Sequence, residues 1–145
     1  MDSKDKNAMM LIHDTSKAFK NIMRKKAERE GISDRYRMIL LMLNLHNGCT
    51  QLDIVNWTKL TPPTISLTLQ KMEEEQLIKR VVNEKDKRAV NIYLLDDGMK
   101  MIDRIIVLIK ETEKIMFDGL SETEIKNMEG MLRKMLDNAS SISLL

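Results

Sequence analysis

The chain has little cysteine, proline or glycine: one, two and five residues of each among 145. The single cysteine, Cys49, excludes an internal disulfide framework. The scarcity of proline and glycine excludes a linker rich in these residues, and no repeat is visible, so we expect one domain over residues 1–145. No apolar run approaches the roughly 20 residues of a membrane span, and the N-terminus lacks a secretory hydrophobic region. These absences predict a cytoplasmic protein.

Motifs for catalysis and metal binding are also missing. The sequence has no Gly-rich phosphate loop, no nucleophile elbow and no HExxH or CxxC pattern. His46 and Cys49 lie three residues apart across a turn, but one such pair lacks the further ligands that zinc requires. We therefore predict that the protein is not an enzyme, with no catalytic residues, no metal site and no cofactor.

What is present is typical of a globular protein, with 43% hydrophobic and 32% charged residues. The formal net charge is only +2, so total charge does not indicate a nucleic-acid partner. The charges are unevenly distributed, however. Basic residues cluster in residues 17–29 and again in residues 79–88, whereas acidic residues concentrate in residues 111–137.

Residues 61–75 are predicted to form a helix suited to a DNA major groove. Thr61 is a good N-cap, and the prolines at 62 and 63 suit a helix entry. Ile65, Leu69 and Met72 recur at helical spacing and predict a buried face. The opposite face is small, hydroxyl-bearing and amide-bearing, and carries Pro63, Thr64, Ser66, Leu67, Gln70 and Lys71. Such a helix could read base edges, although a plain surface helix has the same pattern.

A basic hairpin is predicted to follow this helix. Residues 78–82 and 89–95 are strand candidates, the second with alternating apolar residues. From Lys79 to Arg88 there are five basic and two acidic residues. A basic hairpin tip can neutralise phosphates and release counterions, although solvated hairpins with mixed charge are common.

The remaining pattern is helical. Residues 7–30 predict a long helix that ends at Gly31, and Ser33 caps a second helix that extends to about His46. Capping boxes at Thr50 and Ser121 begin a third helix and the last one, with a long helix over 97–118 between the hairpin and the last helix. Residues 50–75 therefore have the spacing of a helix-turn-helix.

The terminal helices carry more apolar surface than a small domain can cover. Apolar stripes run along residues 8–30, 97–118 and 121–139, and soluble monomers avoid large exposed apolar patches. A twofold dimer would bury these stripes twice over, and we expect a homodimer. An extended intramolecular bundle is the alternative.

The order of elements and two short motifs resemble the winged-helix domain of MarR-type transcription regulators. The hairpin has Asp86-x-Arg88 at its tip, and its second strand ends in Leu94-Leu95-Asp96-Asp97-Gly98. The likeness extends upstream through residues 50–55 and downstream through residues 119–124, so it covers nearly the whole chain. The resemblance implies a mainly α (α+β) fold. A winged helix-turn-helix over 35–95 would carry a two-stranded wing, and helices at 7–30 and 97–140 would form the dimerisation part.

The same resemblance implies a ligand-responsive repressor that binds a pseudo-palindromic operator in double-stranded DNA. The DNA-binding residues would be Arg37, Thr61, Pro63, Thr64, Ser66, Leu67, Gln70, Lys71, Lys85, Lys87 and Arg88. Asp86 would be structural and orient Arg88. Relatives respond to small amphipathic or aromatic effectors, for which Met23, Tyr36, Met42 and Met101 are the candidate pocket residues here.

Two departures from the family pattern leave alternatives open. Relatives often carry arginine where this chain has Leu67, which can offer only apolar contact to a base. Relatives also tend to have threonine where Leu95 stands, so we expect Asp96 to cap the long helix. The absent arginine and the near-neutral net charge leave a winged-helix interaction module without DNA binding as one alternative. A thiol-based redox sensor acting through Cys49, which lies just before the predicted third helix, is another.

Overall fold

The computed structural model describes residues 1–142, which form helices and one two-stranded sheet. Residues 143–145, the end of the predicted 1–145 domain, lie outside the described residues. A short 3-10 turn, Ser3–Asp5, precedes α1 (Ala8–Arg29), α2 (Asp34–Leu45), α3 (Gln51–Thr58), α4 (Pro62–Glu74), β1 (Ile78–Val82), β2 (Val90–Leu94), α5 (Asp96–Met116) and α6 (Glu122–Ser140). This is the mainly α winged helix-turn-helix that the sequence predicts. Over residues 1–142, no helix is long and apolar enough to cross a membrane.

The chain divides into two compact units. The first is Met1–Thr112, and the second begins at Glu113. The first contains the helix-turn-helix, the hairpin and most of α5, whereas α6 belongs to the second. The predicted division into a winged-helix part and a dimerisation part stays a prediction.

The helices begin where short side chains accept backbone N–H groups. The hydroxyl of Ser33 accepts from the backbone N–H of Tyr36, and that of Thr61 accepts from Thr64. Thr50 forms a reciprocal capping box with Asp53, and Ser121 forms a second one at the start of α6. These four predicted helix starts are confirmed, because capping depends on residues only three positions apart.

The core of the first unit joins α1, α2, α4 and α5. The predicted inner face of α4 is fully buried at Ile65, Leu69 and Met72. It belongs to one cluster with buried residues of the other helices, including Met23, Ile39, Leu40, Leu43, Ile102 and Ile105. Packing on this inner face fixes which side of α4 faces outwards.

The hairpin is tied to the loop between α2 and α3. β1 and β2 are antiparallel, with Ile78 opposite Leu94 and Val82 opposite Val90. The loop pairs with β2 through two backbone hydrogen bonds. The N–H of Ile92 donates to the Cys49 carbonyl, and the N–H of Gly48 donates to the Ile92 carbonyl, both at 2.8 Å. The Asn91 side-chain amide also donates to the Gly48 carbonyl at 2.7 Å. The base of the wing is thereby held against the helix-turn-helix.

The start of α5 differs from the prediction. The backbone N–H of Met99 donates to the carbonyl of Leu95, so Leu95 occupies the N-cap position and Asp96 is the first helical residue. The expectation that Asp96 caps the helix is therefore wrong. The physical reason is that the Leu95 N–H bonds to the Leu77 carbonyl at 3.0 Å, which keeps Leu95 extended as a continuation of the sheet.

Candidate nucleic-acid interface

One exposed face of α4 brings together most of the residues predicted to read bases. Leu67 lies at its centre with 55% of its surface exposed. The other members are Thr61, Pro63, Gln70 and Lys71, which are exposed, and Thr64 and Ser66, which are half-buried. The acidic residues of α4 stand only at its C-terminal end, at Glu73 and Glu74. Its shape and chemistry match an element that enters a major groove with its N-terminus first.

The side chains on this face are only lightly engaged with one another. The Thr61 hydroxyl donates to the Thr64 hydroxyl at 2.9 Å, which leaves the Thr64 hydrogen available. The Gln70 amide donates to the Glu74 carboxylate at 3.4 Å, a long hydrogen bond. Gln70 can therefore exchange this contact for a paired donor and acceptor on an adenine edge.

The tip of the hairpin presents three exposed basic residues on an ordered turn. The Asn83 side-chain oxygen accepts from the backbone N–H groups of Lys85 and Asp86, at 2.8 and 3.1 Å. The Asp86 carboxylate accepts from the backbone N–H of Arg88 at 3.1 Å. Its contact with the Arg88 guanidinium is longer, at 3.5 Å, and the Arg88 side chain is 94% exposed. Asp86 thus shapes the turn through the backbone, and Lys85, Lys87 and Arg88 remain open to solvent.

The other two basic residues of the hairpin lie on β1 and contact other side chains, although Lys79 is itself exposed. The Lys79 ammonium lies 5.7 Å from the centre of the Tyr93 ring, a cation–π distance. The Arg80 guanidinium donates to the Glu73 carboxylate through Nε and Nη2, at 3.2 and 3.0 Å. The sequence reading missed both contacts, because the partners are seven or more residues apart and on different elements. Three of the five basic residues of the hairpin therefore stand at its tip, and Arg80 is paired with a carboxylate.

Arg37 lies on α2 and not on the wing. It lines a groove of about 560 Å³ between α1 and α2, and its guanidinium pairs with Asp34. The side chain is only 13% exposed, and its Nε has no hydrogen-bond partner in the described structure. Its predicted role in DNA binding stays a prediction. Arg35 is the exposed arginine of this turn, and it lines a cleft together with Tyr36 and Lys71. Residues two positions apart lie on nearly opposite sides of a helix, so the sequence could have indicated that only one of Arg35 and Arg37 is exposed.

The four candidate effector-pocket residues are distributed over different places. Met23 is fully buried in the core, and Met101 is half-buried against that core. Met42 lines the groove between α1 and α2. The Tyr36 hydroxyl donates to the Glu75 carboxylate at 3.0 Å, and burial together with Glu75 raises its pKa to about 12. Only Met42 thus lies in the groove that the apolar side chains of α1 and α2 form.

Cys49 lies at the start of α3 but has the wrong environment for a reactive thiol. Burial, together with the nearby Asp53 carboxylate, raises the pKa of the Cys49 thiol to about 11. A helix N-terminus alone would lower it, and here desolvation dominates. His46 stacks against Trp57, with ring centres 4.9 Å apart. Within residues 1–142, no group of three or more His, Cys, Asp or Glu side chains is placed to hold a metal ion.

Comparison with known proteins gives a consistent set of relatives. The sequence profile described as "MarR family" matches residues 30–89. The HTH-type transcriptional regulator PecS of Dickeya dadantii is 30% identical over 79 residues, which are 54% of this chain and about half (48%) of PecS. The HTH-type transcriptional repressor MdtR of Bacillus subtilis is 22% identical over 79% of this chain and 74% of its own length.

Solved structures are similar over almost the full chain. A mutant of MepR from S. aureus, bound to an oligodeoxyribonucleotide, is 31% identical and has a TM-score of 0.63, covering 93% of this chain and 99% of its own. MepR itself, a transcription regulator of the Staphylococcus aureus multidrug efflux pump MepA, is 30% identical with a TM-score of 0.74, over 92% and 99%. Apo MarR from E. coli shares the fold, with 17% identity and a TM-score of 0.81 over 90% and 97%.

Proposed function

This chain belongs to the MarR family of winged-helix transcription regulators, and we propose that it is a homodimeric, sequence-specific DNA-binding repressor. The observation that carries the proposal is the pairing of two surfaces on one scaffold. An exposed face of α4 is free of acidic residues except at its C-terminal end, and a wing tip presents three exposed cations. The family is one of regulators, and we assign no catalytic activity to this member.

Binding would use the two surfaces in different ways. The N-terminal part of α4 would enter the major groove, where Leu67 would contact a thymine methyl group and Gln70 would pair with adenine. Lys85, Lys87 and Arg88 would hold phosphates and contribute affinity without sequence information. The expected half-site is therefore rich in A·T pairs, and two half-sites would be related by the twofold axis of a dimer.

The dimer would be built from apolar surface that each element exposes. On α1, Met9, Met10 and Leu11 are exposed, as is Val107 on α5. On α6 no residue is buried, and Met131, Leu132, Met135 and Leu136 are all exposed. An isologous interface would cover these side chains with the same surfaces of a second copy.

An effector would occupy the groove between α1 and α2. Its apolar side chains include Phe19, Leu41 and Met42, and Lys20 and Arg24 stand among the lining residues. A volume of about 560 Å³ lies within the range of small-molecule sites. An amphipathic or aromatic molecule with a negative group would suit this lining best.

Selection from a pool of random DNA duplexes tests the proposal. We expect one pseudo-palindromic, A·T-rich sequence to be enriched, and its affinity to fall steeply as salt concentration rises. Changing Lys87 and Arg88 together to alanine should lower the salt slope by about two, one for each lost phosphate contact. Exposed Lys126 and Lys134 on α6, changed together to alanine, are the matched control and should leave the slope unchanged. A parent protein that enriches no sequence and binds without salt dependence would instead indicate an interaction module.

A further inference from the structure

Glu73 and Arg80 form the most fully engaged ion pair near the proposed DNA-binding surface. The Glu73 carboxylate accepts three hydrogen bonds from Arg80: from the backbone N–H at 3.1 Å, from Nε at 3.2 Å and from Nη2 at 3.0 Å. Both side chains are partly covered. The Arg80 guanidinium and then its backbone N–H hold the pKa of Glu73 below its usual value, so Glu73 is a carboxylate at neutral pH.

The pair joins the two elements that DNA binding would use together. Glu73 lies in the last turn of α4, and Arg80 is the central residue of β1, opposite Ile92 of β2. The chain passes between them through a tight turn in which Gln76 has a positive φ of 61°. Backbone bonds from Gln76 to Glu73 and from Leu77 to Met72 close this turn. Ile78 is buried in the core with Leu69 and Met72. Two residues further along β1, on the same face, the Glu73 carboxylate holds Arg80 against the end of α4.

Simple electrostatics does not explain why the pair lies here. A carboxylate on a groove-reading helix repels phosphates, and an arginine that faces a carboxylate is withheld from phosphates. By charge alone, the Glu73 carboxylate is unfavourable for DNA binding, and the pairing removes Arg80 as a phosphate contact. A geometric role accounts for them, because α4 can lie in the major groove while the wing tip contacts phosphates only if the wing stands at a fixed angle to α4.

We propose that Glu73 and Arg80 are positioning residues that set the angle of the wing, so that its basic tip reaches DNA while α4 occupies the major groove. This inference rests on the proposed function. It predicts that the pair acts on affinity through Lys85, Lys87 and Arg88 and touches no base itself.

The direction in which DNA affinity changes in one variant distinguishes a positioning role from a purely electrostatic one. Glu73→Gln removes one negative charge, so electrostatics alone predicts tighter binding to the selected duplex. Positioning predicts that affinity falls about tenfold and that the salt slope decreases by about one to two, because wing contacts are lost. Glu122→Gln is the matched control, since Glu122 also faces a cation, Lys126 at 3.5 Å, but lies on α6. The control should bind as tightly as the parent or slightly more tightly.

A double-mutant cycle and a DNA-free measurement complete the test. Arg88→Ala should cost less affinity in the Glu73→Gln background than in the parent, because the unfastened wing already misses its phosphates. In the free protein, hydrogen exchange at the Asn83 and Ala89 amides should be faster in Glu73→Gln. Equal or tighter binding by Glu73→Gln, additive effects in the cycle, or a lower melting temperature with unchanged affinity would overturn the inference. If the parent binds no DNA, the proposed function fails. The positioning of the wing is then tested by hydrogen exchange alone, and equal exchange at the Asn83 and Ala89 amides in the parent and in Glu73→Gln would overturn it.

Discussion

Gln70 is the residue of α4 from which we expect sequence preference to arise. It is exposed, it lies opposite the buried Leu69 face, and its only side-chain hydrogen bond in the described structure is the long one to Glu74. Gln70→Ala should cost about 1–3 kcal/mol of binding free energy on the selected duplex and little on unrelated DNA. Leu67→Arg should shift one position of each half-site towards guanine. Fluorescence anisotropy and a repeated selection measure these effects, and an unchanged selected sequence for both variants would contradict the orientation of α4.

Cys49 gives a second prediction at the residue scale. Because the pKa of its thiol is raised to about 11, very little thiolate exists at pH 8. We expect an aromatic disulfide reagent to react with Cys49 at least about a hundred times more slowly than with a free thiol of ordinary pKa. Unfolding in urea should restore the ordinary rate. A native rate equal to that of reduced glutathione would instead favour the thiol sensor.

At the scale of residues, the sequence predicts contacts within one turn of helix and misses contacts between elements. The capping of α3 by Thr50 follows from a spacing of three residues. The bond between Tyr36 and Glu75 spans 39 positions, and no pattern in the sequence brings them together. The same limit hid the engagement of Arg80, so the sequence reading overestimated the positive charge that the hairpin offers.

Among the elements, α5 depends on a close approach that only glycine allows. A Cβ atom at Gly98 would lie 2.2 Å from the backbone carbonyl oxygen of Leu77. Gly98→Ala should therefore lower the free energy of unfolding by about 1–3 kcal/mol, because backbone atoms must move apart. Gly130→Ala is the control, since nothing lies within 4 Å of its Cβ position on α6, and it should stabilise by about 0.5–1 kcal/mol. Urea titration measures both changes, and equal stability of Gly98→Ala and the parent would contradict this account.

Element boundaries were predictable to within about two residues, and the shorter second strand has a local cause. The long helix was expected over 97–118 and is Asp96–Met116, and the second strand was expected over 89–95 and is Val90–Leu94. The strand is shorter because the Ala89 N–H bonds to the Asp86 carbonyl within the tip, at 2.9 Å. Hydrophobic periodicity defines where an element lies, whereas backbone bonds to neighbouring elements decide its last residue.

For the whole molecule, α6 provides the sharpest test of assembly. Met131 and Leu136 are 62% and 70% exposed, and a helix with such an apolar face requires a partner surface. Changing Leu132 and Leu136 together to glutamate should yield monomers or weakened dimers in sedimentation at micromolar concentration, because two charges would be buried in each half of the interface. Lys126 and Lys134 lie on the polar side of the same helix, and changing both to glutamate should leave the dimer intact.

Deleting residues 121–145 should have a stronger effect than these substitutions and give monomers, aggregates or unfolded protein. If the Leu132 and Leu136 variant remains a folded dimer, α6 does not form the interface, and the exposed side chains of α1 and α5 would have to supply it alone.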